Sequence, residues 1–235
     1  MASTLSYKLA DRKGLFHLLV GILVFGSLWG FLEATLGGFL HVIIFPNKGA
    51  IMSGIGLAIM ASALAIYKKP SMLPGIGIVA ASFKLLDVWI FSLAINSVHI
   101  INPAMAIIFE SLAFGAVAVF LINRIAKNVL TGVAAGAITG IITATAYVYF
   151  AVYITNSPLF ARIGVSSVAE FIADQGVVQA AFWAILLPLG YLAGKKLATK
   201  PFPVLAKRRI LYYAASMAFI LFCWGVSIIA IMAGL

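Results

Sequence analysis

The sequence predicts an all-α integral membrane protein, a polytopic bundle of about seven transmembrane helices. Three observations predict it. The 235 residues are 64% hydrophobic and only 9% charged, with a mean hydropathy of +1.15; a soluble domain carries about 25% charged residues. Apolar runs near or above the roughly 20 residues a helix needs to cross the hydrocarbon core recur along the whole chain. The basic residues sit in short clusters between those runs, and every second connection holds almost none. The runs lack strand-like alternation, so a closed barrel is not expected, and an open sheet would leave its backbone unsatisfied in lipid.

The first run, Leu15–Phe45, follows Lys8, Arg12 and Lys13. It continues well past a signal-peptide core and shows no small-x-small cleavage site, so a retained span is expected. Gly37-Gly38 and Pro46-Asn47 predict a bend near its far end. Gly26, Gly30, Ala34 and Gly38 recur at four-residue spacing, a stripe on which another helix backbone can approach closely. That stripe suits packing inside the bundle or docking of a partner membrane protein. The second and third runs, Ala50–Tyr67 and Met72–Ile95, each carry Gly-Ile-Gly near the start. Neither is a nucleotide loop, because no strand precedes it and the other glycines of that pattern are missing.

The fourth run is Pro103–Ile122. The fifth, Val129–Ile154, repeats the small-residue stripe with Gly132, Gly136, Gly140 and Ala144. The connection from Thr155 to Asp174 contains Asn156-Ser157-Pro158 and a mixed stretch from Leu159 to Ile172, which predicts a short interfacial or re-entrant helix over the outer mouth. The sixth run is Gln175–Ala193. A basic segment follows, with Pro201 and Pro203, and is expected against anionic headgroups or an acidic partner. Ile210–Leu235 is the seventh run. The organisation predicted is one transmembrane domain: a tail over 1–14, a six-helix core over 15–194, a basic loop over 195–209 and a seventh helix over 210–235.

With the N-terminus in the cytoplasm, the inside segments hold Lys8, Arg12, Lys13, Lys68, Lys69, Arg124, Lys127, Lys195, Lys196, Lys200, Lys207, Arg208 and Arg209. The outside segments hold Lys48 and Arg162, a ratio of 13 to 2. This asymmetry predicts seven spans with the C-terminus outside, in the cell inner or plasma membrane.

The net charge of +10 would suit nucleic acid if the basic residues formed a face, and they do not, so no nucleic acid partner is expected. The single Cys223 excludes an internal disulfide framework and a cysteine metal cluster. None of His17, His41 and His99 has a carboxylate or histidine at helical i, i+3 or i, i+4 spacing, so no metal site is expected. Neither G-x-S-x-G nor H-E-x-x-H occurs, and no acid and base stand at catalytic spacing, so the chain is not expected to be an enzyme or to hold a cofactor.

The strongest functional signal is where the rare polar residues fall. Lys84, Asp87 and Glu110 lie within the third and fourth runs, around the polar break Asn96-Ser97-Val98-His99 and Asn102-Pro103. A charge inside a span costs about 2.5–3.5 kcal/mol on insertion scales and is normally paired, often at a functional site. Under the predicted topology these residues, Glu33 and Gln179 gather in the outer half. They predict an outward-facing polar pocket lined by Glu33, Lys84, Asp87, Glu110, Asn96, His99, Asn102 and Gln179. Trp29 and Trp89 are candidates for a stacking wall. A charge network that only fixes helix packing is the competing reading.

The small-residue stripe Gly26, Gly30, Ala34, Gly38, the broken end Phe45-Pro46-Asn47-Lys48-Gly49 and the outer polar cluster resemble those of the substrate-binding membrane subunits (S components) of energy-coupling-factor transporters. The resemblance covers the first six spans. It implies uptake of a small polar or amphipathic molecule, docking through the first helix onto a transmembrane coupling subunit, and energy from partner ATPases. Met1-Ala2-Ser3-Thr4 lacks the histidine motif of the metal-specific branch, so nickel or cobalt is not the expected cargo. The alternative is a non-catalytic membrane subunit of a larger redox or energy-converting complex, in which His41 and His99 would hold a haem or neighbour a quinone.

Overall fold

The computed structural model describes residues 2–199 and 208–235, with the side chains of residues 1–13, 162 and 209 left aside. Regular structure among the described residues is entirely helical. Seven helices are long and apolar enough to cross a membrane: α1 (Gly14–Val42), α2 (Lys48–Tyr67), α3 (Pro70–Phe91), α4 (Val98–Ile125), α5 (Val129–Ile154), α6 (Val168–Thr199) and α7 (Ile210–Met232). The protein is a polytopic all-α membrane bundle.

α1 packs on α3, α3 on α4, α4 on α5, α5 on α6 and α6 on α2, which returns to α1. α2 is the most enclosed helix of this closed ring, and its composition explains why. Its glycines, alanines and serines admit neighbouring backbones at short range. A side chain at Gly190 or Gly194 of α6 would run into the backbone of Ala58 or Ser62. Ser62 Oγ donates to the carbonyl of Gly190 across that contact at 2.7 Å. α7 lies outside the ring, against α1 and the last turns of α3. Large exposed apolar side chains such as Trp89, Phe120 and Ile210 form the lipid-facing surface.

α1–α2, α3–α4 and α5–α6 connect at one end of the bundle, and α2–α3 and α4–α5 at the other, where Lys68, Lys69, Arg124 and Lys127 sit. The basic segment from residue 200 to 207 lies outside the described residues.

Several boundaries differ from the sequence expectation. α4 begins at Val98, five residues before Pro103, which lies inside the helix in its second turn and gives up the amide bond to the His99 carbonyl. α6 begins at Val168, with Ser167 Oγ accepting from the Glu170 amide at 3.2 Å as an N-cap. The expected short helix before it spans Leu159–Ile163.

Candidate functional site

The end of the bundle that carries the 43–47, 92–97 and 155–167 connections has irregular helices. α1 opens into a π-helical turn over Glu33–Gly37, with Thr35 Oγ1 donating to the Phe31 carbonyl at 2.7 Å. A second π turn, Phe150–Ile154, ends α5, and a third, Ile172–Gly176, lies in the first turns of α6. α3 is interrupted at Phe83 and Lys84, between the helical stretches Leu73–Ser82 and Leu85–Phe91. The amides of Phe83 and Lys84 reach back only three residues, to Ala80 at 3.2 Å and Ala81 at 3.0 Å. Such irregularity at membrane depth is tolerated where the backbone is buried in protein or lines a cavity, and π turns concentrate at functional sites.

Two cavities with charged side chains in their linings adjoin these irregular segments. The larger, about 550 Å³, lies between α1, α2, the second half of α3 and the end of α7; Glu33, His41, Lys48, Lys84 and Asp87 are its titratable side chains. Lys48 Nζ donates to His41 Nδ1 at 2.9 Å. Lys84 sits close enough to Glu33 and Asp87 for its charge to act on both carboxylates. The smaller cavity, about 290 Å³, lies between α1, α2, α4, α5 and α6 and is lined by Glu33, Ser53, Glu110, Thr143, Tyr147, Gln175 and Gln179. Leu159, Ile163 and Phe171 cover it from the α5–α6 connection and the start of α6. The two cavities share Glu33, Gly49, Met52 and Pro103, so Glu33 stands on the wall between them.

Glu110 is 5% exposed, and its Oε2 has no hydrogen-bond partner among the described residues. Thr143 Oγ1 on the same cavity also lacks a partner among the described residues. Ser53, next to Glu110, is held from behind: Trp183 Nε1 donates to Ser53 Oγ at 2.7 Å. A buried polar atom without a partner costs about 1–3 kcal/mol, more when charged. Two such atoms belong to residues that line the smaller cavity.

The structure thus brings together Glu33, Lys84, Asp87, Glu110 and Gln179. Three expected pocket residues lie elsewhere. Asn96 is exposed in the turn between α3 and α4, and His99 is exposed on the first turn of α4; neither lines a cavity. Asn102 is buried but engaged, its Oδ1 accepting from Thr155 Oγ1 at 3.0 Å to tie α4 to the end of α5. Trp29 is fully buried behind the wall, its ring against Gly56, and Trp89, 83% exposed, faces lipid. The stacking wall is instead aromatic from α5 and α6, through Tyr147 and Phe171.

The small-residue stripe of α1 is occupied within the chain. A side chain at Gly26 would strike Val79, one at Gly30 would strike Phe83, and one at Gly38 would strike Leu235. Ala34 is buried beside the larger cavity. In this arrangement the stripe serves internal packing against α3 and the end of α7, not an open docking face. The α5 stripe is likewise filled by α6, with Gly136 against the Trp183 backbone and Gly140 against Ala180.

Ser53, Thr143, Tyr147 and Gln175 were not singled out by sequence reasoning as pocket residues. Ser and Thr within spans are ordinary packing residues and carry no signal of their own. Gln175 had one, as an amide one residue from Asp174, to which its Nε2 donates at 2.8 Å.

Comparisons with protein-family models, with curated proteins and with solved structures found no match to this chain.

Proposed function

We propose that the protein is a membrane-embedded substrate-binding subunit for the uptake of a small polar or amphipathic molecule, with energy supplied by partner subunits. One observation supports this most directly: the charged residues buried among the spans converge on two adjoining cavities at one end of the bundle. A purely structural charge network would be expected to satisfy its members, whereas Glu110 Oε2 is left without a partner. The concentration of basic residues at the opposite end favours a cytoplasmic position for that end, so the cavities would open to the outside of the cell membrane. The chain carries no nucleotide-binding motif, so ATP-driven uptake requires separate ATPase subunits, in keeping with the resemblance to S components.

The test is native mass spectrometry of gently extracted protein. A small molecule and partner subunits should accompany the wild type. Glu110→Gln and Lys84→Ala should lose the small molecule while inserting and folding normally. Retention of the molecule by both variants would remove the cavities from the binding reading.

A further inference from the structure

The two cavities differ in charge, and the difference points to a ligand class. The larger mixes Lys48 and Lys84 with carboxylates. Both charged side chains on the smaller one, Glu33 and Glu110, are acids; no described basic side chain lines it. Glu33 also lines the larger cavity, which holds Lys84, whereas Glu110 lines only the smaller one. Glu110 is 5% exposed and its Oε2 is unpartnered. A carboxyl in such a place holds its proton unless a cation pairs with it.

The cavity is too large for a bare ion. Its volume of about 290 Å³ compares with roughly 30 Å³ for a water molecule in the liquid. It also has aromatic walls, Tyr147 and Phe171, which favour an organic cation over a hydrated metal ion. Gln179 adds a neutral hydrogen-bonding side chain to the lining of the same space.

We infer that the smaller cavity seats the protonated amine of a small organic molecule, with Glu110 as its direct counter-ion and Glu33 as the second carboxylate. The inference rests on the binding-subunit reading and adds the chemical class of the ligand to it. The rest of such a molecule extends past Glu33 toward Lys84, which suits a zwitterion or a neutral polar tail better than a second cation.

Full-length protein in detergent is titrated with benzylamine, benzyl alcohol and benzoate, three probes of similar shape, with ligand-observed NMR and thermal shift as readouts. Sodium chloride is a fourth arm. Benzylammonium should bind roughly tenfold or more tighter than the alcohol, as a charge-assisted hydrogen bond implies. Glu110→Gln should erase that preference. Ala106→Phe, which keeps both acids and fills the cavity, should abolish binding of the amine, so the inference stays testable if Glu110→Gln fails to accumulate.

Equal binding of amine and alcohol by the wild type, or tighter binding of benzoate, overturns the inference. So does an unchanged amine preference in Glu110→Gln, or protection by sodium that benzylamine does not compete. A co-purifying molecule without an amine that Glu110→Gln loses would overturn the ligand class and leave the binding-subunit reading standing. Amine selectivity in a protein that extracts without partner subunits would support the class and sink the uptake role.

Discussion

At the basic end of the bundle, α6 meets α2 backbone to backbone, with Gly190 against Ala58 and Gly194 against Ser62. At the other end the helices part: α3 is broken at Phe83 and Lys84, π turns interrupt α1, α5 and α6, and two cavities open. Polar groups are also treated differently. Near the basic end, Ser62 Oγ reaches two carbonyls, those of Ala58 and Gly190, whereas on the smaller cavity Glu110 and Thr143 keep unpartnered atoms. One region has its hydrogen bonds closed and its space filled. The other holds unmet polarity, which is the condition for binding something later.

The largest effect that would break this contrast lies in the closed half. Gly190→Leu should destabilise by about 3 kcal/mol or more, because the new side chain has only the α2 backbone to displace; loss of a monodisperse size-exclusion peak would show it. Trp183→Phe, on the boundary, should cost about 1–2 kcal/mol through the lost bond to Ser53 and the smaller ring, read as a lower thermal midpoint. Ser62→Ala should cost about 1 kcal/mol by the same assay, since the Gly190 carbonyl keeps its own helical bonding and loses only an added donor. Glu110→Gln should change stability least, within about 0.5 kcal/mol or toward greater stability, because it keeps the side chain's shape and changes only a carboxyl oxygen that has no partner at Oε2. A loss at Glu110 as large as that at Gly190 would make the cavity end a structural network after all.

How much of this was legible follows from what each signal depends on. The seven spans were readable because the cost of exposing polar backbone and charge to lipid acts on each segment by itself. The Glu33, Lys84, Asp87 and Glu110 set was readable because a charge in a span is conspicuous wherever it points. Asn96, His99 and Trp89 were misplaced because sequence depth does not say which face of a helix looks inward. The break in α3 was hidden, since neither Phe83 nor Lys84 is a helix breaker; Phe83 is buried under Gly30 of α1 and Trp224 of α7, its ring 4.2 Å from the Trp224 ring.

By itself, then, the sequence determined that the chain lies in a membrane, how many times it can cross, and which few residues are too costly there to be incidental. Solvation fixes all three, and it is additive along the chain. Only the tertiary structure decided that α1's glycine stripe is spent on α3 and α7, that Tyr147 and Phe171 rather than Trp29 and Trp89 wall the smaller cavity, and that Glu110 Oε2 is buried without a partner. Those outcomes depend on helix rotation and on which helices are neighbours, and close packing sets both between segments far apart in sequence.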